Sequence, residues 1–207
     1  MEWIQNHIAE LAMSAAMAWG AGLRLYLVVF VVGLLGKFGY VPLPEALKIL
    51  ANPIVLGAAG FMTFIEFFAD KIPWLDSAWD AVHTFLRIPA GAALAAGMLG
   101  DTGEGVAMAA ALIGGTLAAG THFGKAGTRA AVNTSPEPFS NIAVSAAEDV
   151  AVAGGLALAL ANPWVFLALL LVFVILLVVL LRVLIKGVRA LLRKLMNLGE
   201  PSARGVT

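Results

Sequence analysis

The stretch WVFLALLLVFVILLVVLLRVLI, Trp164–Ile185, carries no charge before Arg182. Roughly 22 residues of apolar helix are what a bilayer core of about 30 Å requires. A membrane barrel would show short segments of alternating polarity, and this run is continuous, so it reads as a transmembrane helix. Its tail holds Arg182, Lys186, Arg189, Arg193 and Lys194, a basic cluster of the kind retained in the cytoplasm. The rest of the chain agrees. Hydrophobic residues make up 61% of the 207 and charged residues 13%, with a mean hydropathy of +0.93, far outside soluble globular usage.

The fold class expected is all-α integral membrane, with about six transmembrane helices and broken or re-entrant segments. A single multi-pass domain is expected over residues 1–195, in halves 1–100 and 101–195, followed by a short cytoplasmic tail at 196–207. The cell membrane, a bacterial inner membrane, is the expected location. The formal net charge is zero, so no global field favours nucleic acid. The absence of cysteine excludes disulfides and thiolate chemistry. The N-terminus carries Glu2 and Glu10 and no basic segment, so a cleaved signal peptide is not expected.

Residues Ile8–Gly36 form the first apolar run, interrupted by Gly20-Ala-Gly22 and Arg24. One straight helix would be about 43 Å long, so a break near the glycines is expected. Arg24 then lies near mid-membrane, at a cost of about 2.5–3.5 kcal/mol, and implies an acidic partner or an aqueous cavity. Lys37–Lys48, with Pro42 and Pro44, reads as a loop. Asn52-Pro53 opens a second span that ends near Asp70, with Glu66 and Asp70 on one face.

The segment Lys71–Arg87 reads as interfacial, anchored by Trp74 and Trp79. On a helix its Asp76, Asp80, His83 and Arg87 form one polar stripe. Pro89 precedes an Ala/Gly-rich third span to Gly100, and Asp101–Glu104 turns into a fourth, Gly105–Gly120. There Gly114/Ala118 and Gly115/Ala119 are spaced for close helix packing. The polar segment THFGKAGTRAAVNTSPEPFSN, Thr121–Asn141, comes next, then a fifth span to Ala161 holding Ser145, Glu148 and Asp149, and Asn162-Pro163.

Counting back from the basic tail places Asp101–Glu104 outside and both polar segments inside, with Lys37 and Lys48 as exceptions on the external side. If the first run is two spans, only the N-terminus changes side. Three spans per half permit an inverted repeat, traced in AWGAGLRLYL (Ala18–Leu27) and HFGKAGTRAAV (His122–Val132); the Leu-Ala-Asn-Pro pair at 50–53 and 160–163 runs against a simple version. Between Glu66 and Asp149, leaving out the external pair, seven acidic residues face four basic ones. That balance favours cations or protons over anions.

Three readings of Thr121–Asn141 stand: an ordinary loop, a re-entrant or broken-helix segment lining a cavity, or a lipid-headgroup site using Lys125 and Arg129. In the stripe, an Asp80–Arg87 or His83–Asp80 contact is the structural alternative to proton shuttling by His83. His7 and His122 are isolated and receive no role. No HExxH, phosphate loop, GxSxG elbow or dinucleotide fingerprint occurs, so no metal, cofactor or catalytic residue is assigned. An intramembrane hydrolase using an Asp pair is the enzymatic alternative.

GLRLY (Gly22–Tyr26), EFFADKIPWLDSAWDAVHTFLRIPAGA (Glu66–Ala92) and GKAGTRAAVNTSPEPFSN (Gly124–Asn141) together resemble one membrane family, domain of unknown function 4126. The resemblance covers roughly Gly20 to Ala161. It implies a polytopic membrane protein and places the two polar motifs in the family's functional core, although a small polar residue is expected where Arg24 stands.

The leading expectation is a small-solute or ion transporter or channel. Its path would use Arg24, Glu66, Lys125, Arg129, Asn133, Ser135, Glu148 and Asp149, with Asp70, Asp76, Asp80, His83 and Arg87 as a secondary stripe. Glu148 would carry a proton or cation and Lys125 and Arg129 its counter-charges. The partners expected are the lipid bilayer and that solute or ion, with a homo-oligomer left open. A structural or lipid-handling protein, a headgroup binder or scramblase, is the alternative. A water-filled cavity lined by the polar segment and Glu148 would favour transport; a packed ion-pair network would favour the structural reading.

Overall fold

A computed structural model describes residues 2–72, 74–133 and 139–198, and these contain helices and turns without a strand. The helices are α1 (Glu2–Asn6), α2 (Ile8–Lys37), α3 (Pro53–Ala69), α4 (Leu75–Met98), α5 (Glu104–Val132), α6 (Phe139–Ala161) and α7 (Pro163–Leu198), with 3-10 turns at Glu45–Ala51 and Gly100–Thr102. Four of them, α2, α5, α6 and the first 28 residues of α7, are long and apolar enough to cross a bilayer. A fifth crossing is available if Glu45–Ala51 and α3, bent by 67°, are taken together. Burial is inverted relative to a soluble protein. Phe61, Phe64, Phe85, Leu112, Ile113, Leu171 and Ile175 are exposed, whereas Arg24, Arg87 and Arg129 are at most 1% exposed. This is the signature of a helical membrane protein.

The first run breaks at Arg24, whose φ of −143° and ψ of 73° leave the helical region. The break is a reversal. A Cβ on Gly20 would lie 2.7 Å from Val28 Cγ2, although residues eight apart in a straight helix are separated by about 12 Å. Both outer halves of α2 reach the same end of α4. In the arm 8–23, Ser14 Oγ donates to the Ala95 carbonyl at 3.0 Å. The arm 25–37 lays Gly33 against Leu50 and Leu56, and Leu47 of the same 3-10 turn packs on Gly97. The element is a helical hairpin with Arg24 at its tip.

The tip can sit deep because small residues line the approach. A Cβ on Gly22 would stand 2.5 Å from the Ala118 carbonyl oxygen, and Gly91 and Gly114 meet Ala118 and Ala95 with as little room. These contacts bring α2, α4 and α5 within backbone distance. Gly120, Gly124 and Gly127 on another face of α5 receive Leu177 and Leu184 of α7.

Two sequence expectations need correction. Lys71–Arg87 is not a separate interfacial segment, because α4 runs unbroken through Pro89. A proline removes one helical hydrogen bond, and here a single face of α4, from Asp76 through Arg87 and Gly91 to Met98, stays buried throughout. Packing therefore holds the helix across the defect. Trp79 is half-buried, stacked on His83 at 4.2 Å between ring centroids, and only Trp74 is freely exposed. The polar segment, likewise, is not a loop at its start: α5 continues to Val132. Its Ser135, with 134–138, lies outside the described residues.

Candidate functional site

The hairpin tip is where the charges gather. Leu23, immediately before the break, offers its carbonyl to Lys125 Nζ at 3.1 Å, so a cation of α5 serves a backbone oxygen at the interrupted turn. Arg24 itself is ringed by acceptors. Its guanidinium pairs with Asp70 at the end of α3, reaches Asp149 at 3.0 Å and Glu148 at 3.4 Å, and donates to the Ser145 hydroxyl and carbonyl at 2.8 and 3.0 Å. An arginine that would be costly alone in the membrane is thereby matched by carboxylates from α3 and α6.

Arg87 is the corresponding centre between α3, α4 and α5. It contacts Glu66 and Asp80 at 2.6 Å each and donates to His122 Nδ1 at 3.2 Å. The Thr84 hydroxyl donates to the Asp80 carbonyl, so His122 Nε2 is the donor to Thr84 across 2.7 Å. His83 faces elsewhere: Nδ1 donates to the Trp79 carbonyl at 2.8 Å and Nε2 accepts from the Tyr26 hydroxyl at 3.0 Å. Of the two contacts expected for the stripe, Asp80–Arg87 is present, while the His83 ring nitrogens bond Trp79 and Tyr26.

Lys125 joins the two centres. Its ammonium lies 2.7 Å from Asp70, 3.4 Å from Asp80 and 3.5 Å from Glu148. One turn on, Arg129 contacts Glu148 at 2.9 Å, donates to the Asp70 carbonyl at 2.9 Å and to Asn141 Oδ1 at 2.8 Å. Asn133 closes this end by donating to both Asp76 oxygens, at 3.0 and 3.2 Å, and accepting from Asn141 at 3.0 Å.

Breaking a buried pair costs about 3–5 kcal/mol because it strands the remaining charge. Every arginine here has more than one acceptor, yet Glu66 Oε2, Asp70 Oδ1, Asp80 Oδ2 and Asp149 Oδ2 are buried without a hydrogen-bond partner among the described residues. Lys71, between α3 and α4, lies over the Phe67 ring and 3.3 Å from Ser145 Oγ. Burial holds its ammonium below the ordinary lysine range, against the pull of Asp149. A crevice of about 200 Å³ between α4 and α5 reaches the network from the flank, lined by Ser77, Asp80, Thr84, His122, Phe123 and Arg129 among others. Glu148 is not among its lining residues.

All the described candidates except His83 thus belong to one connected cluster of ion pairs and hydrogen bonds: Arg24, Glu66, Asp70, Asp76, Asp80, Arg87, Lys125, Arg129, Asn133, Glu148 and Asp149. Sequence reasoning passed over His122, Tyr26, Thr84, Asn141 and Ser145. The helical period held a signal for three of them. His122, Lys125 and Arg129 are three and four apart, and so are Asn141, Ser145 and Glu148 in the opposite order, so each set shares a face. Glu66 and Asp70 are buried, at 1% and 0% exposure.

Comparison with known proteins agrees with the sequence motifs that this cluster gathers. No curated protein and no solved structure matches the chain. The family model described as Domain of unknown function (DUF4126) matches residues 11–183, from the first arm of α2 into the last crossing helix, and the chain belongs to that family.

Proposed function

We propose that the protein moves a small solute or an ion across the membrane, with the cluster at the α2 tip as its centre. The ion pairs are packed and the crevice leaves out Glu148, which by itself favours a structural role; charge imbalance among the described residues is what carries the transport reading. Six carboxylates (Glu66, Asp70, Asp76, Asp80, Glu148 and Asp149) share the cluster with five cations, Arg24, Lys71, Arg87, Lys125 and Arg129. Buried ion pairs are seldom the most stable way to fill a core, and a surplus charge among them is worse still. Ionisable groups at such depth usually mark ion or proton pathways. Glu148 is shared by Arg24, Lys125 and Arg129, as Asp70 is. Glu148 is the more exposed of the two, at 10% against 0%, which supports a role as carrier.

In the topology proposed, α2 is a re-entrant hairpin and α3 to α7 are the crossings, α4 being counted for its packing between α2 and α5 rather than for its hydropathy. The basic end of α7 is cytoplasmic, so the cluster lies toward that side and the N-terminus, with Glu2 and Glu10, is external. An inverted repeat is not part of the proposal. It would pair α6 on α2 with α3 on α5, and α3 packs against α2, with no more than passing contact to α5 among the described residues.

The test uses reconstituted vesicles with an entrapped pH dye and an imposed potassium diffusion potential. Proton flux is expected from the wild type and its loss from Glu148→Gln. The variant should unfold at a lower temperature because Arg24, Lys125 and Arg129 each lose a carboxylate, so flux is compared where circular dichroism shows both proteins folded. Flux that persists in this variant would remove Glu148 from the mechanism. A second reading, handling of lipid headgroups, is favoured by the density of ion pairing and by the flanking crevice, where a phosphate would compete with Glu148 for Arg129. It expects fluorescent-lipid flipping without proton flux.

A further inference from the structure

We infer that the crevice between α4 and α5 is where a proton joins the cluster, and that Asp80 Oδ2 is the atom that takes it. This rests on the transport reading above and names its ion. Asp80 lines the crevice and is 2% exposed. Its two oxygens are unequal. Oδ1 is held by Arg87 at 2.6 Å and lies 3.4 Å from Lys125, whereas Oδ2 is buried without a hydrogen-bond donor among the described residues. The other polar groups on the crevice wall are engaged: His122 uses both ring nitrogens, Arg129 is shared between Glu148 and Asn141, and Thr84 bonds the Asp80 carbonyl. Among these groups Asp80 Oδ2 is the atom left without a donor.

The chemistry selects a proton over a metal ion. Among the described residues no three acidic or histidine side chains converge to hold a metal, and Arg87, Lys125 and Arg129 would repel a dication. A proton needs only the one oxygen. A volume of about 200 Å³ has room for several waters at roughly 30 Å³ each to deliver it. The bond formed is Oδ2–H, the proton comes from crevice water, and no other bond breaks. A neutral Asp80 weakens its hold on Arg87 and Lys125. Arg87 then has Glu66 of α3 as its remaining carboxylate, and Lys125 has Asp70 and Glu148, so protonation at the flank is passed to the α2 tip through Lys125. Arg24 and Tyr26 of α2, and Asp76 and His83 of α4, are further charged or titratable groups around this exchange.

Labelling of reconstituted full-length protein by dicyclohexylcarbodiimide, read by peptide mass, tests this. The reagent is apolar and adds to protonated carboxyl groups. Modification at Asp80 is expected to rise several-fold as pH falls, to be lost in Asp80→Asn, and to drop several-fold in Ala126→Leu, which fills the crevice wall. An unlabelled Asp80 at every pH, or labelling indifferent to Ala126→Leu, overturns the proposal. The wild-type measurement does not depend on any variant folding. It also separates the two ideas: a labelled Asp80 in vesicles without proton flux leaves the site standing and removes transport. Flux with an unlabelled Asp80 does the reverse.

Discussion

Three arginines at most 1% exposed, Arg24, Arg87 and Arg129, each hold carboxylates together, and their replacements should not behave alike. Arg87→Met strands Glu66, whose paired oxygen has Arg87 as its donor, and should cost about 3–5 kcal/mol of stability. Adding Glu66→Gln should recover part of that loss in the same denaturation measurement. Arg87→Lys should fall between wild type and Arg87→Met, because a lysine cannot reach both carboxylates with the planar fork of a guanidinium. Most of this cluster could be read from the helical period alone, since Asp76, Asp80 and Arg87 repeat at steps of one or two turns. Tyr26 could not be ranked that way, and the period marks only that His122 shares a face with Lys125 and Arg129. Their value comes from partners on other helices, which spacing within one helix does not specify.

The α2 hairpin is the feature least visible in the sequence. Gly20 and Gly22 mark where a break is cheap, but no local signal says that the chain turns back. The reversal is fixed by Asp70 and Asp149, from α3 and α6, on Arg24, and by the fit of Gly20 against Val28. Spin labels at positions 9 and 37 test it. A straight helix would hold them about 42 Å apart, and the hairpin predicts a distance well short of that. Gly22→Leu should unfold at markedly lower temperature, because any Cβ there meets the Ala118 carbonyl and overpacking costs about 1–3 kcal/mol or more. Pro89 misled in the opposite direction. A proline read alone signals a boundary, but the buried face of α4 on both sides of it outweighs one lost hydrogen bond.

At the scale of the molecule, class and membrane character were legible because the apolar runs are long. The number of crossings is not settled by those runs, because hydropathy cannot distinguish a traverse from a hairpin of equal length. The chain has no cysteine, so single cysteines report sidedness without background. Asp101→Cys and Glu2→Cys should react with a membrane-impermeant maleimide on intact cells, and Phe139→Cys only after permeabilisation. Protection of Glu2→Cys on intact cells would place the N-terminus inside and make α2 a simple traverse.

The hairpin also bears on how the protein is made. Arg24 leaves the ribosome 46 residues ahead of Asp70 and 121 ahead of Ser145, so the partners that stabilise the tip do not yet exist when α2 meets the translocon. At that moment α2 is an isolated apolar segment of 30 residues with one unpaired arginine, and a straight traverse satisfies its backbone best. The re-entrant topology proposed above then calls for a late inversion, with the second arm retracting once α3 and α6 arrive. A glycosylation acceptor placed near Lys37 should change compartment between a nascent chain truncated before α3 and the finished protein.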